Sequence, residues 1–220
     1  MRFLPLLLLT PVSAAHIFAC AKRREGIRKF TKVLLVPLIA LLHISVCGFK
    51  HPLVLLGLFC GLVGDILLIP KGKLCFRLGG FFFLIGHVCY IAAAFRIGMP
   101  QAAYVSLGIP WLVIMAVAAF ALGASAYLIL KRGVEGSMRV GVAAYIATIS
   151  LMAGVMVYSL GGTRCFGAFL IAAGALLFTA SDFLLCVGLT RRFRIKQGRV
   201  WVMLTYIAAQ LGIALGFALM

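Results

Sequence analysis

The stretch HPLVLLGLFCGLVGDILLIP, residues 51–70, decides the fold. Apart from Asp65, every residue from Pro52 to Ile69 is apolar or glycine. At about 1.5 Å per residue, such a run as a helix approaches the roughly 30 Å of a bilayer's hydrocarbon core. The rest of the 220-residue chain, 65% hydrophobic, repeats the theme. Runs of this kind cover about 3–21, 31–49, 52–69, 76–95, 109–131, 138–159, 165–189 and 199–219, joined by loops of a few residues. They predict one integral membrane domain over 1–220, an all-α polytopic bundle of about eight spans. A β-barrel would show short strands of alternating polarity. These runs are apolar on all sides, and a helix satisfies its own backbone in lipid. Residues 101–131 are too long for one upright helix. Pro110 is the natural break, because proline is tolerated in a helix's first turn. The fifth span is therefore expected from Ile109, with 101–108 interfacial or irregular.

The net charge of +17 is organised by topology. Lys22, Arg23, Arg24, Arg28, Lys29 and Lys32 crowd the first loop; Lys71, Lys73 and Arg77 the third; Lys131, Arg132 and Arg139 the fifth; Arg191, Arg192, Arg194, Lys196 and Arg199 the seventh. The other side receives only Arg2, Lys50, Arg96 and Arg164. This alternation follows the positive-inside rule and puts both termini away from the cytoplasm. The basic loops suit anionic lipid headgroups, not nucleic acid. The expected location is a bacterial inner membrane or a eukaryotic endomembrane. The opening MRFLPLLLLTPVSAA has features of a signal peptide, but the basic cluster after residue 21 reads as a stop-transfer signal and favours a retained first helix. The seven cysteines form no C-x-x-C and no zinc-like spacing, so they are read as free packing residues. No metal site and no cofactor are expected.

Of four acidic residues, Asp65 and Asp182 fall inside spans. A carboxylate near a helix centre costs about 2.5–3.5 kcal/mol on insertion scales. Depth counting puts both in the cytoplasmic half of the bilayer, with Tyr145, Tyr206, Gln210, His87, Tyr90 and His43 at similar levels. His16 and His51 are assigned to the outer interface. No lysine or arginine is expected deep enough to pair with either aspartate. At least one acid is then expected to be protonated, and an acid beside a carboxylate suits general acid–base work. The plainer alternative is a carboxyl that bonds across helices as packing glue. GDILL (64–68) matches SDFLL (181–185), and CYIAAA (89–94) matches TYIAAQ (205–210). The third and fourth spans thus look like a copy of the seventh and eighth, a parallel 4+4 repeat.

The series GLVGDILLIP, GGFFFLIGHVCYIAAAF (79–95), GALLFTASDFLLCVG (174–188) and YIAAQ (206–210) resembles the YhhN-like family of polytopic proteins, which includes the lysoplasmalogenases. The resemblance implies an ether-bond hydrolase that cleaves the vinyl ether of a lysoplasmalogen to a fatty aldehyde and a glycerophospho-alcohol. It implies Asp65 and Asp182 as the acid–base pair. His87, Tyr90, Tyr206, Gln210 and Tyr145 are candidates to orient the carboxyls or bind substrate. The implied partner is a membrane lysophospholipid, and nothing fixes an oligomeric state. The competing readings are a proton- or ion-coupled transporter, since intramembrane carboxylates also mark ion pathways, and a scaffolding membrane protein.

Overall fold

The computed structural model describes residues 4–70, 72–130, 138–189 and 196–220. Arg2, Lys71, Lys131, Arg132, Arg191, Arg192 and Arg194, seven of the basic residues used for topology, lie outside the described residues. The described chain forms helices α1 (Leu4–Ala21), α2 (Glu25–Cys47), α3 (Pro52–Leu67), α4 (Lys73–Arg96), α5 (Met99–Leu130), α6 (Met138–Gly162), α7 (Phe166–Leu189) and α8 (Gly198–Ala218). Seven are long and apolar enough to cross a membrane. With 16 residues, α3 spans only about 24 Å. The residue before a proline disfavours helical backbone, so Pro70 keeps the apolar run from continuing as helix through Ile69.

Two boundaries differ from expectation. The second helix begins at Glu25, not 31, so two polar turns precede its apolar stretch. Hydropathy trims such turns although the backbone there is helical. Residues 101–107 are helical too, not irregular. The break that Pro110 announced falls at Gly108, whose φ of 72° and ψ of −174° kink α5. Only glycine takes that backbone readily.

Each odd helix packs on the even helix that follows it. The pairs close into a ring in the order α2, α3, α4, α6, α7, α8 and back to α2. Outside the ring, α1 lies on α2 and α8, while α5 lies on α6 and touches α4 and α7. Shifting every label by four maps nearly all these pairs onto one another, as a parallel 4+4 repeat would require. At the basic end, Arg199 of α8 reaches Glu25 of α2 at 2.8 Å, joining the two halves. Small residues allow close approach. A Cβ on Gly216 would meet α7 backbone at 2.7 Å, and one on Gly174 would meet α8 backbone at 2.8 Å. Such small-residue faces let membrane helices touch without a hydrophobic driving force.

Candidate active site

Asp65 lies in the last turn of α3, 2% exposed. Its Oδ1 is 3.1 Å from Lys32 Nζ of α2, and its Oδ2 accepts a 2.7 Å bond from the Tyr206 hydroxyl of α8. The pair corrects the expectation that no basic residue reaches an aspartate. Lys32 belongs to the second turn of a buried helix face, where it is 8% exposed, and not to a loop. The signal was present in the sequence. Lys32, Leu35, Val36 and Ile39 follow the i, i+3, i+4, i+7 spacing of one helix face, and all four are buried.

A directed chain continues from Asp65. Tyr206 oxygen accepts from Gln210 Nε2 at 3.2 Å, and Gln210 Oε1 accepts from Tyr90 of α4 at 2.7 Å. Glycines of α3 make room for it. A Cβ on Gly61 would sit 2.9 Å from Gln210 Nε2, and one on Gly57 would collide with the Tyr90 ring. Gly57, Gly61 and Gly64 therefore serve packing within a continuous helix, not a break in it.

Asp182, in α7, is 9% exposed. Tyr145 of α6 donates its hydroxyl to Oδ2 in a very short hydrogen bond. His87 of α4 places Nε2 3.8 Å from the same oxygen. His87 Nδ1 is 2.5 Å from the Phe83 carbonyl, which can only accept, so Nδ1 carries a hydrogen. In the neutral ring Nε2 is then an acceptor. It is buried and makes no hydrogen bond among the described residues.

An aromatic wall joins the surroundings of the two aspartates. Phe178 packs edge-on against His87 at 4.7 Å and Tyr206 at 5.5 Å, while His87 meets Tyr145 at 5.5 Å. Phe83 closes the cluster against Phe178 and Tyr206. Sequence reasoning did not single out Phe83, Phe178 or Lys32. An apolar cavity of about 400 Å³ lies among α5, α6 and α7. Asp182 and Tyr145 stand in its wall with Ala126, Ile149 and Phe183. Asp65 is not among its lining residues.

Two histidines fall elsewhere. His43 leaves the polar layer, because α2 starts early and carries it toward the helix's far end. There it bonds the Ala214 carbonyl at 2.7 Å and approaches His51 at 6.0 Å. His16 is fully buried and bonds Thr31 at 2.8 Å, near the basic turn between α1 and α2 rather than at the opposite interface. All seven cysteines are free. Among the described residues, no three His, Cys, Asp or Glu side chains gather as a metal-ligand set.

No curated protein and no solved structure gives a significant match. The profile of the YhhN family matches residues 27–217, which takes in α3 to α7 and nearly all of α2 and α8, and so every side chain described around both aspartates: the chain belongs to the YhhN family.

Proposed function

We propose that this multi-pass membrane protein hydrolyses the vinyl ether bond of lysoplasmalogens, giving a fatty aldehyde and a glycerophospho-alcohol. The observation that carries the reading is Asp182: a buried carboxyl, bonded by Tyr145, in the wall of an apolar cavity. A lysolipid has one apolar chain, and its vinyl ether joins that chain to the glycerol. A chain lying between α5, α6 and α7 brings the reactive carbons to the carboxyl.

The chemistry needs a carboxylic acid and a carboxylate. The acid's O–H bond breaks and its proton bonds the β-carbon, using the alkene electron pair. A lone pair on the ether oxygen closes an oxocarbenium ion, steadied by negative charge nearby. Water adds to the cationic carbon and gives a proton to a carboxylate. The hemiacetal then collapses: its hydroxyl loses a proton, the bond to the glyceryl oxygen breaks, and that oxygen takes a proton. One water is consumed. The logic parallels paired carboxyls in sugar hydrolysis.

The test is purified protein in detergent with an alkenyl lysolipid, monitored for aldehyde with and without EDTA across pH. Aldehyde release is expected, insensitive to EDTA, and falling at both pH extremes because one carboxyl must be protonated and one ionised. A rate rising steadily with alkalinity, or abolished by EDTA, refutes the two-aspartate mechanism. Substrate-driven flux in sealed vesicles with no aldehyde favours a transporter, a reading the buried Lys32–Asp65 pair also suits. We also infer that both termini face away from the cytoplasm. Reporter fusions near Gly188 and at Met220 should then lie on opposite sides, with Met220 outside.

A further inference from the structure

We propose that the two aspartates hold fixed and different protonation states, Lys32 keeping Asp65 a carboxylate while Asp182 carries the proton that the reaction spends first. The catalytic roles rest on the hydrolase reading above; the proton assignment does not.

The argument starts from the repeat. Lys32 and Tyr145 lie on α2 and α6, corresponding helices of the two halves. Those helices pack on α3 and α7, which carry the aspartates. In both halves a side chain of this helix donates to the aspartate of the next one. The second partner comes from the last helix of the opposite half: Tyr206 of α8 for Asp65, His87 of α4 for Asp182. One scaffold thus builds two sites that differ in what the corresponding helix offers, a cation in one and a neutral hydroxyl in the other.

The hydrogen-bond directions agree. Both oxygens of Asp65 face donors, Lys32 and Tyr206, and the chain from Tyr90 through Gln210 points every remaining donor toward it. A proton on Asp65 would meet a donor at either oxygen. Tyr145 donates to Asp182 at Oδ2, and His87 presents an acceptor 3.8 Å from the same oxygen, near but beyond hydrogen-bond distance. A proton on Asp182 would have an acceptor, not a cation, as its neighbour.

The groups facing Asp65 are Lys32 from α2, Tyr206 and Gln210 from α8, and from α4 Tyr90 through Gln210. Those facing Asp182 are Tyr145 from α6, His87 from α4 and Cys186 on its own helix, with Asp65 itself beyond. Arg77 and Arg139 lie further toward the basic end of α4 and α6. In the hydrolysis, Asp182 gives its proton to carbon, becomes a carboxylate, and recovers a proton from the attacking water. Asp65 stays charged and steadies the oxocarbenium ion through space. Lys32 is a positioning residue, acting through Asp65.

Infrared difference spectra of the detergent-solubilised protein at neutral pH test the assignment without substrate. The wild type and Asp65→Asn should show the C=O stretch of a protonated carboxyl, and Asp182→Asn should lack it. Lys32→Met should gain a second such band, which Lys32→Arg should not. A band removed by Asp65→Asn, a band removed by both, or no band in the wild type overturns the proposal. Should Lys32→Met fail to fold, the two aspartate variants and Lys32→Arg carry the test. In the aldehyde assay, Lys32→Met should lose at least about tenfold at neutral pH and move its acidic limb upward, with Lys32→Arg restoring both. The expected infrared pattern without aldehyde release refutes the hydrolase reading and leaves the proton assignment standing.

Discussion

Asp65 and Asp182 sit on matching helices of a doubled bundle, yet one meets an ammonium and the other a phenol. Asp65 is enclosed within the ring; Asp182 stands in the wall of an apolar cavity. A buried carboxylate is tolerated when paired and hydrogen-bonded on all sides. A carboxyl that must exchange protons with a substrate needs instead a neutral setting and access. Each half of the bundle carries one buried acid, and the proposed difference in their duties traces to Lys32 on α2 and Tyr145 on α6.

The comparison breaks first at Asp182. Asp182→Asn keeps the shape and removes the transferable proton, so aldehyde release should fall by about 10²–10⁴, the scale of general acid–base catalysis. Expression and detergent stability should hold, because an amide is neutral like the protonated carboxyl it replaces and nearly the same shape. Activity within a few-fold of wild type in a well-folded Asp182→Asn would reduce that aspartate to packing.

Next comes the charge balance at Asp65. Removing one partner of a buried pair strands the other, at about 3–5 kcal/mol. Lys32→Met should destabilise by up to that scale, the proton taken up by Asp65 offsetting part of it. The double variant Lys32→Met/Asp65→Asn removes both charges and should recover much of the loss. A double-mutant cycle on thermal or denaturant stability measures the coupling. Strict additivity would mean that the 3.1 Å contact holds no net energy.

The fold was legible because lipid imposes a simple rule, apolar runs of bilayer length, which seven of the eight described helices meet and the shorter α3 approaches. GDILL and SDFLL suggested the repeat, and the ring's order of contacts is consistent with it. Lys32 was hidden by the same rule that found the helices. Averaged hydropathy assigns a basic residue beside a polar turn to the loop, whereas the backbone had already become helix at Glu25. His43 was misplaced by that same error in register. Depth counting could bring Tyr206, Gln210, Tyr90, Tyr145 and His87 to one level, but lateral convergence depends on ring order, which no single span encodes. The aromatic wall of Phe83 and Phe178 was illegible because phenylalanine in an apolar run carries no distinguishing signal.

A smaller effect should come from the cavity. Ala126, on α5, lines it together with Asp182 and is not a partner in the hydrogen bonds described for either aspartate. Ala126→Phe fills space that the substrate's chain would occupy. KM for a long-chain alkenyl lysolipid should rise about tenfold with kcat little changed, the scale of a few apolar contacts. A matched fall in kcat with unchanged KM would mean that the chain lies elsewhere.

The smallest effect is expected at the far end of the Asp65 chain. Tyr90 donates to Gln210 Oε1, which leaves the amide nitrogen to serve Tyr206, whose own hydrogen serves Asp65. Tyr90→Phe leaves the buried Gln210 oxygen without that donor but keeps the ring packed over Gly57. Bonds between membrane helices average about 0.6 kcal/mol, so the stability loss should be near or below 1 kcal/mol. Activity should drop only a few-fold, since Tyr206 and Lys32 still hold both oxygens of Asp65. Tyr206→Phe cuts the chain at its last link and should cost several times more. If Tyr90→Phe were as damaging as Tyr206→Phe, the chain would act as one unit in which Gln210 turns when its far donor is lost, and the outer tyrosine would belong with the residues that position the carboxylate.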